Sequence, residues 1–260
     1  MTIAGLRDKR SEHYREAYPL KIGILETGHL SDSLKAKYGR YPEFFKRLVG
    51  PHLPEATFFS ISIVDGEIAD NPNQADGWII TGSRSGAYDD DPWIPPLEDF
   101  LRACMAENVP IVGICFGHQI LAQAMGGKVV KSDKGWGIGI QEYQLLNHHD
   151  WMEDFGTGFT IPAIHQDQVI QAPEGAQIFA SSEFCPIAGL LYGDIDAPKA
   201  MTLQPHPEMS AEFVADISEE RLQHIIPAKT MQPALKTLSK PGDQAAWGKS
   251  IASFFRQVFG

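Results

Sequence analysis

Short apolar runs and polar, glycine-containing connections alternate along the first half of the chain. Residues 20–25, 57–64 and 76–81 are apolar enough to form buried strands, and residues 42–49 have the apolar spacing of a helix. Strands that alternate with helical connections pair in parallel through right-handed crossovers. The first half therefore predicts a parallel sheet flanked by helices.

The second half is richer in strand patterns and ends in helices. Further strands are predicted at residues 128–131, 138–146, 159–161, 169–171, 177–181 and 187–192. A short strand at residues 200–203 precedes predicted helices around residues 211–224 and 245–259. We expect these later strands to add an antiparallel β region to the parallel sheet.

The same patterns set the expected domain organisation. No internal repeat or low-complexity linker divides the sequence, so we expect one domain over residues 1–260. The expected fold is α/β, a three-layer, open, mostly parallel sheet flanked by helices. Residues 1–19 read as a polar N-terminal arm, and residues 226–260 as a C-terminal helical extension.

Residues 110–127 contain the sharpest change of pattern. An apolar run passes through Gly113, Cys115 and Gly117 and continues at helical spacing, which predicts a strand, a tight turn and a helix. Glycines two positions before and after the tip of such a turn let strand and helix pass closely. A thiol at the tip faces the helix N-terminus, whose dipole favours the thiolate. A nucleophilic Cys115 is one interpretation, and a small buried hydrophobic side chain is the other.

Charge and cysteine content exclude several classes of function. The 22 Lys and Arg against 33 Asp and Glu give a net charge of −11, which argues against a nucleic-acid or anionic-membrane surface. With no apolar run of membrane length and no signal-peptide pattern, we expect a cytoplasmic protein. Three cysteines without a C-x-x-C pair predict neither a disulfide framework nor a zinc site.

A cysteine nucleophile needs a base and a group that orients it. His206 follows a predicted strand and is flanked by prolines, and Glu208 projects to the same side two residues later. These residues predict a Cys115, His206 and Glu208 constellation. In the alternative, the Pro-His-Pro-Glu string is a rigid turn that opens a helix.

Together, the G-x-C-x-G-x-Q string from Gly113 to Gln119 and the later His206-Pro-Glu208 string resemble the class I glutamine amidotransferases, over about residues 20–225. The resemblance implies a flavodoxin-like fold and a Cys-His-Glu triad that hydrolyses the γ-amide of glutamine or a γ-glutamyl compound, without metal or cofactor. It also implies an oxyanion hole formed by the backbone N–H groups of Gly82 and Phe116.

Substrate contacts are expected around this triad. The resemblance implies that Gln119 contacts the substrate, and residues 165–169, beginning with His165, are similar to a family stretch near the pocket. Arg84 lies on a loop after the third predicted strand and is a candidate partner for a substrate carboxylate. Tyr88, Glu26 and His29 are expected to rim the same pocket. The sequence departs from many family members at residues 135–139, where glycines replace a glutamate.

Three functions follow from this reading. The first is a stand-alone hydrolase of γ-glutamyl amides or peptides, favoured because residues 37–41 look like the same region of γ-glutamyl peptidases. The second is a glutaminase subunit that feeds ammonia to a separate synthase, as in the amidotransferase half of GMP synthase. The third is a binding module with a vestigial pocket. The oligomeric state stays open.

Overall fold

The computed structural model describes residues 19–259 of the chain. The predicted arm therefore lies outside the described residues, except for Pro19. Within the described part, the strands are β1 (Leu20–Glu26), β2 (Ala56–Ser62), β3 (Gly77–Ile80), β4 (Ile111–Ile114), β5 (Lys128–Lys131), β6 (Gly137–Leu145), β7 (Gly158–His165), β8 (Asp167–Gln171), β9 (Gln177–Ser181), β10 (Gly189–Gly193) and β11 (Pro198–Leu203).

Helices of the same part alternate with the early strands and close the chain. They are α1 (Asp32–Tyr38), α2 (Tyr41–Val49), α3 (Ile94–Ala106), α4 (Phe116–Ala124), α5 (Ala211–Glu220), α6 (Ala228–Thr237) and α7 (Gln244–Phe259). Single 3-10 turns lie at Gly50–His52, Ile63–Asp65, Pro72–Gln74 and Leu222–His224. No helix among the described residues has both the length and the apolar character that a bilayer span requires.

A nine-stranded sheet forms the middle layer, in the order β2-β1-β3-β4-β11-β10-β9-β6-β7. The pairs from β2 to β11 are parallel, and the pairs from β11 to β7 are antiparallel. A separate antiparallel pair joins β5 to β8. The predicted α/β architecture is confirmed, and most of the antiparallel region continues the parallel sheet.

The side chains on both faces of the central strands are buried in the core. Trp78 and Ile80 of β3 join the core cluster that contains α3 and α4 residues, whereas Ile79 joins the cluster that contains α2 and α7 residues. Successive strand side chains point to opposite faces, so this division follows from the period of two. Both faces of β3 are thus covered by helices, which explains its continuous apolar sequence.

Helices α1 and α6 are not among the individually predicted helices, although α6 lies within the predicted helical extension at residues 226–260. Helix α1 has seven residues and buries only Leu34, so its sequence shows almost no helical spacing of apolar residues. The side chain of Ser31 caps this helix by accepting a hydrogen bond from the Leu34 N–H at 3.3 Å. Helix α6 contains Pro233, a residue that argues against a helix interior. It packs on β6, where Ile140 N–H donates to Thr237 Oγ1 at 2.8 Å.

Strand β7 is longer than the predicted residues 159–161 because it continues through Pro162. Proline has no N–H to donate to a ladder and is tolerated at a sheet edge. Strand β7 lies at one edge of the sheet, so no further strand needs the N–H donor that Pro162 lacks. This extension matters for the site, since the carbonyl of Pro162 accepts from the backbone N–H of His206 at 2.7 Å.

Candidate active site

Cys115 lies in the turn between β4 and α4, in a strained backbone conformation. Its φ is +54° and its ψ is −101°, in a region that non-glycine residues rarely adopt. A Cβ added to Gly113 would lie 2.5 Å from the Gly117 carbonyl oxygen, and one added to Gly117 would lie 2.6 Å from the Ile80 carbonyl oxygen. Both glycines are therefore required for the turn, and the Cys115 thiol lies at the N-terminus of α4.

The ring of His206 lies between the thiol and Glu208. Nδ1 of His206 lies 2.7 Å from Oε1 of Glu208, and the side chains of His206 and Cys115 both lie close to Gly82. Both side chains of the His206–Glu208 pair are almost fully buried, at 3% and 1% exposure. Because Nδ1 donates to the carboxylate, Nε2 is the nitrogen left for the thiol.

The groups around His206 favour the charged form of its ring. Burial alone would lower the pKa of His206, but the carboxylate of Glu208 and the sulfur of Cys115 outweigh it and raise the pKa well above its ordinary value. A protonated His206 next to the sulfur is placed to give its proton to a leaving group, and the carboxylate of Glu208 orients the ring.

Both predicted oxyanion donors lie next to Cys115. A Cβ added to Gly82 would lie 3.7 Å from Cβ of Cys115 and 3.1 Å from Cε1 of His206, so the backbone of Gly82 closely approaches both side chains. Phe116 is the first residue of α4, where a backbone N–H has no carbonyl of its own helix to bond. Their role as donors stays a prediction.

A cavity of about 240 Å³ opens on the thiol. Gln119, His165 and Arg84, the three predicted substrate contacts, all line it. Nε2 of Gln119 donates to the Asp167 carbonyl at 2.9 Å and to Oε1 of Gln204 at 3.1 Å. Both amide hydrogens are thus committed within the protein, which leaves Oε1 of Gln119 as an acceptor.

His165 is a second acceptor in this cavity. Its Nδ1 lies 3.2 Å from the Asp167 carbonyl, which can only accept, so Nδ1 carries the proton. Burial lowers the pKa of His165 to about 4, so the ring is neutral near pH 7. Its Nε2 is buried without a partner in the described chain. A neutral His165 therefore has an unprotonated Nε2 that no hydrogen-bond donor of the described chain contacts.

Sequence reasoning missed the part that Asp167 plays. Its carbonyl accepts from both Gln119 and His165, and its carboxylate accepts from the Tyr88 hydroxyl at 3.0 Å. The first two contacts are made by a backbone atom, which a residue-type pattern does not reveal. The position of Asp167 in the 165–169 stretch was the available signal.

Glu26 and His29 do not line the thiol cavity, so the expectation is wrong for Glu26, whereas His29 also lines a second cavity next to the thiol cavity. Glu26 pairs with Arg40, and Nε2 of His29 lies 3.0 Å from Asp65. The side chains lie instead in a polar cavity of about 540 Å³ beyond the ends of β1 and β2. Tyr88, by contrast, lines the thiol cavity as expected.

Comparisons with known proteins match this site and fold. A family model described as glutamine amidotransferase class-I matches residues 55–214. A glutamine amidotransferase-like protein of Schizosaccharomyces pombe is 30% identical over 90% of this chain and 97% of its own length. Gamma-glutamyl peptidase 3 of Arabidopsis thaliana is 27% identical over 87% of this chain and 92% of its own. A solved glutamine amidotransferase from Thermotoga maritima has a TM-score of 0.71 at 20% identity, covering 93% of this chain and 99% of its own, a likeness of fold.

Proposed function

This chain belongs to the class I glutamine amidotransferase family, and on that premise we propose that it hydrolyses the γ-amide bond of γ-glutamyl compounds with Cys115, His206 and Glu208 as its triad. The observation that carries the proposal is the buried ring of His206, which contacts Glu208 through Nδ1 at 2.7 Å and lies with Cys115 beside Gly82. Similarity to a γ-glutamyl peptidase over most of both chains favours γ-glutamyl peptides or amides as substrates.

The proposed reaction proceeds through a γ-glutamyl thioester. Sγ of Cys115 attacks the γ-carbonyl carbon, and the N–H groups of Gly82 and Phe116 stabilise the oxyanion by about 3 kcal/mol per donor. His206 gives its proton to the amide nitrogen, the C–N bond breaks, and ammonia or an amine leaves. The now neutral His206 takes a proton from water, whose oxygen attacks the thioester. The C–S bond breaks, glutamate leaves and its new carboxyl group loses a proton to solvent, and Cys115 and the charged ring return to their starting protonation states.

Substrate binding in this proposal uses the acceptors that line the thiol cavity. Oε1 of Gln119 and Nε2 of His165 are both left without a hydrogen, so they suit an α-ammonium group on the γ-glutamyl part. Arg84 lies on the same wall and suits a substrate carboxylate. If Arg84→Ala left the Michaelis constant unchanged across several γ-glutamyl compounds, this role of Arg84 would be withdrawn.

The test is a panel of γ-glutamyl compounds scored for released glutamate. The purified wild type is expected to release glutamate, and Cys115→Ser is expected to give the background rate. Rapid acid quenching of the wild type followed by intact-mass measurement should detect the γ-glutamyl adduct on Cys115. Equal hydrolysis by the wild type and Cys115→Ala would overturn the proposed triad and favour a binding module.

The same panel separates the hydrolase from a glutaminase subunit. A subunit that feeds ammonia to a separate synthase is expected to be nearly silent alone and to be activated when its synthase is added. High turnover of the purified chain on γ-glutamyl peptides favours the stand-alone hydrolase. Activity confined to glutamine, and only with a synthase present, favours the alternative.

We also propose the cytoplasm as the location, because a nucleophilic thiol has to stay reduced. Cys115 is a free cysteine, as are Cys104 and Cys185. Cell fractionation with antibody detection tests the location, and recovery in a secretory compartment would contradict it.

A further inference from the structure

A second and larger cavity adjoins the thiol cavity. Its volume is about 630 Å³, and Ser83, Arg84 and Ser85 line both cavities. The far wall comes from the end of α5 and the residue after it, Ile217, Glu220 and Arg221. The shared loop therefore leads from the thiol to a space that the hydrolysis of glutamine itself does not use.

The two cavities together have room for a ligand larger than glutamine. Small-molecule sites ordinarily have volumes of about 300–1,000 Å³, and the thiol cavity alone, at about 240 Å³, lies below that range. The two cavities together lie within it. A γ-glutamyl group at Cys115 leaves the second cavity to the other part of a longer substrate.

The proposed proton donor to the leaving amine lies beside the loop that the two cavities share. The leaving nitrogen takes its proton from His206, whose Cε1 is packed against Gly82, directly before the shared loop. Arg221 lines the second cavity together with residues 83–85 of this loop.

The second cavity is lined by two guanidinium groups, those of Arg84 and Arg221, that have no carboxylate partner within residues 19–259. Within residues 19–259, neither Arg84 nor Arg221 makes an ion pair, although Arg221 is half-buried. Of the carboxylates in the wall, Glu220 is held by hydroxyl groups, including that of Ser33 at 2.5 Å, and Asp91 is the other. An unpaired guanidinium at a partly buried site favours a planar anion.

We propose that the second cavity binds the leaving amine of a γ-glutamyl amino acid or peptide and that Arg221, together with Arg84, binds its carboxylate. This inference rests on the proposed hydrolase function and names its substrate class. Arg221 is a specificity residue here and takes no part in bond breaking.

A matched substrate pair tests the charge alone. γ-Glutamyl-glycine and γ-glutamyl-glycinamide have nearly the same size, but only the first has a carboxylate on the leaving amine. We expect the wild type to prefer γ-glutamyl-glycine by about tenfold in kcat/KM, the effect of one charge-assisted contact partly screened by water. In Arg221→Gln this preference should fall to near unity, and Arg221→Lys, which keeps the charge, should retain most of it.

Lys229→Gln is the matched control. It removes one positive charge from an exposed position of α6 that lines neither cavity, so the preference should persist. Higher salt should reduce the preference of the wild type and leave that of Arg221→Gln unchanged. Hydrolysis of γ-glutamyl-glycinamide by each variant shows that its fold and triad are intact.

The outcomes distinguish the two proposals. If the wild type hydrolysed neither substrate, both the hydrolase function and the subsite would be lost. If it hydrolysed both at the same rate, or if Arg84→Gln combined with Arg221→Gln kept the preference, the subsite would be wrong and the hydrolase function would stand.

Discussion

Replacing Glu208 by glutamine removes one negative charge and little else. In the wild type, Oε1 of Glu208 lies 2.7 Å from Nδ1 of His206, and Oε2 is buried without a partner in the described chain. Glutamine has the same shape and can keep its carbonyl oxygen in the Oε1 position. The variant therefore isolates the effect of the carboxylate charge on the ring.

The expected loss follows from the burial of both partners. A charge-assisted hydrogen bond contributes about 1.5–3 kcal/mol, and this one is screened very little because both side chains are nearly inaccessible. The upper value applies, so kcat/KM for a γ-glutamyl amide should fall about a hundredfold. Glu212→Gln is the control, since that carboxylate is 67% exposed and pairs with Lys37 at the surface.

The same contact makes stability depend on pH. Although burial opposes it, the pKa of His206 in the folded chain is raised by Glu208 and Cys115 well above the value of about 6.5 that holds for an unfolded chain. Folding therefore takes up a proton between those two values. The stabilisation is complete below about pH 6.5 and is lost as the pH rises through the folded-state pKa.

Denaturant titrations from pH 6 to pH 9 test this part of the reasoning. We expect the free energy of unfolding to decline with pH in the wild type and in Glu212→Gln, and to decline less in Glu208→Gln. An activity of Glu208→Gln within threefold of the wild type, together with an unchanged pH dependence of stability, would refute the proposed role of the carboxylate.

Three further substitutions probe the turn and the C-terminal helix. Gly113→Ala places a methyl group 2.5 Å from the Gly117 carbonyl, so we expect a loss of about 1–3 kcal/mol in denaturant titrations and a strong fall in activity; an active, equally stable variant would contradict this geometry. Cys115→Gly should be inactive but about 1 kcal/mol more stable, because glycine tolerates the positive φ, and a lower denaturation midpoint would count against stored strain. Trp247→Ala should cost about 3–5 kcal/mol, since that ring is fully buried, and a loss below 1 kcal/mol would show that α7 is a dispensable extension.

The sequence predicted those parts of the fold whose signal is local. The turn at Cys115 is visible because glycines are required at fixed offsets, and β9 is visible because its apolar run has clear ends. The prediction ended strand β7 before Pro162, because proline is tolerated in a strand only at the edge of a sheet. Which strand lies at the edge depends on the strand order, and the local sequence does not show that order. Helix α1 was missed because its order depends on contacts distant in sequence, such as Lys37 with Asp216 at 2.7 Å.

In the site, too, the side chains could be predicted from the sequence and the backbone contacts could not. Cys115, His206 and Glu208 lie in short strings in which residue type and spacing carry the chemistry. The contact that fixes Gln119 and His165 is a carbonyl of Asp167, and any residue supplies a carbonyl. Arg221 gives no signal in the sequence, since its position in the wall depends on where α5 ends relative to the shared loop.

The nucleophile and its base are brought together by sheet register. Strands β4 and β11 are parallel neighbours, with Ile114 opposite Leu203, and the Cys115 N–H donates to the Leu203 carbonyl at 2.8 Å. The thiol and the ring thus leave adjacent strands about 4.8 Å apart at the same edge of the sheet. A slip of one residue would turn Leu203 to the opposite face and move the ring away from the thiol. The Pro162 carbonyl then holds His206 from the other side, so the antiparallel half of the sheet completes a site that the parallel half begins.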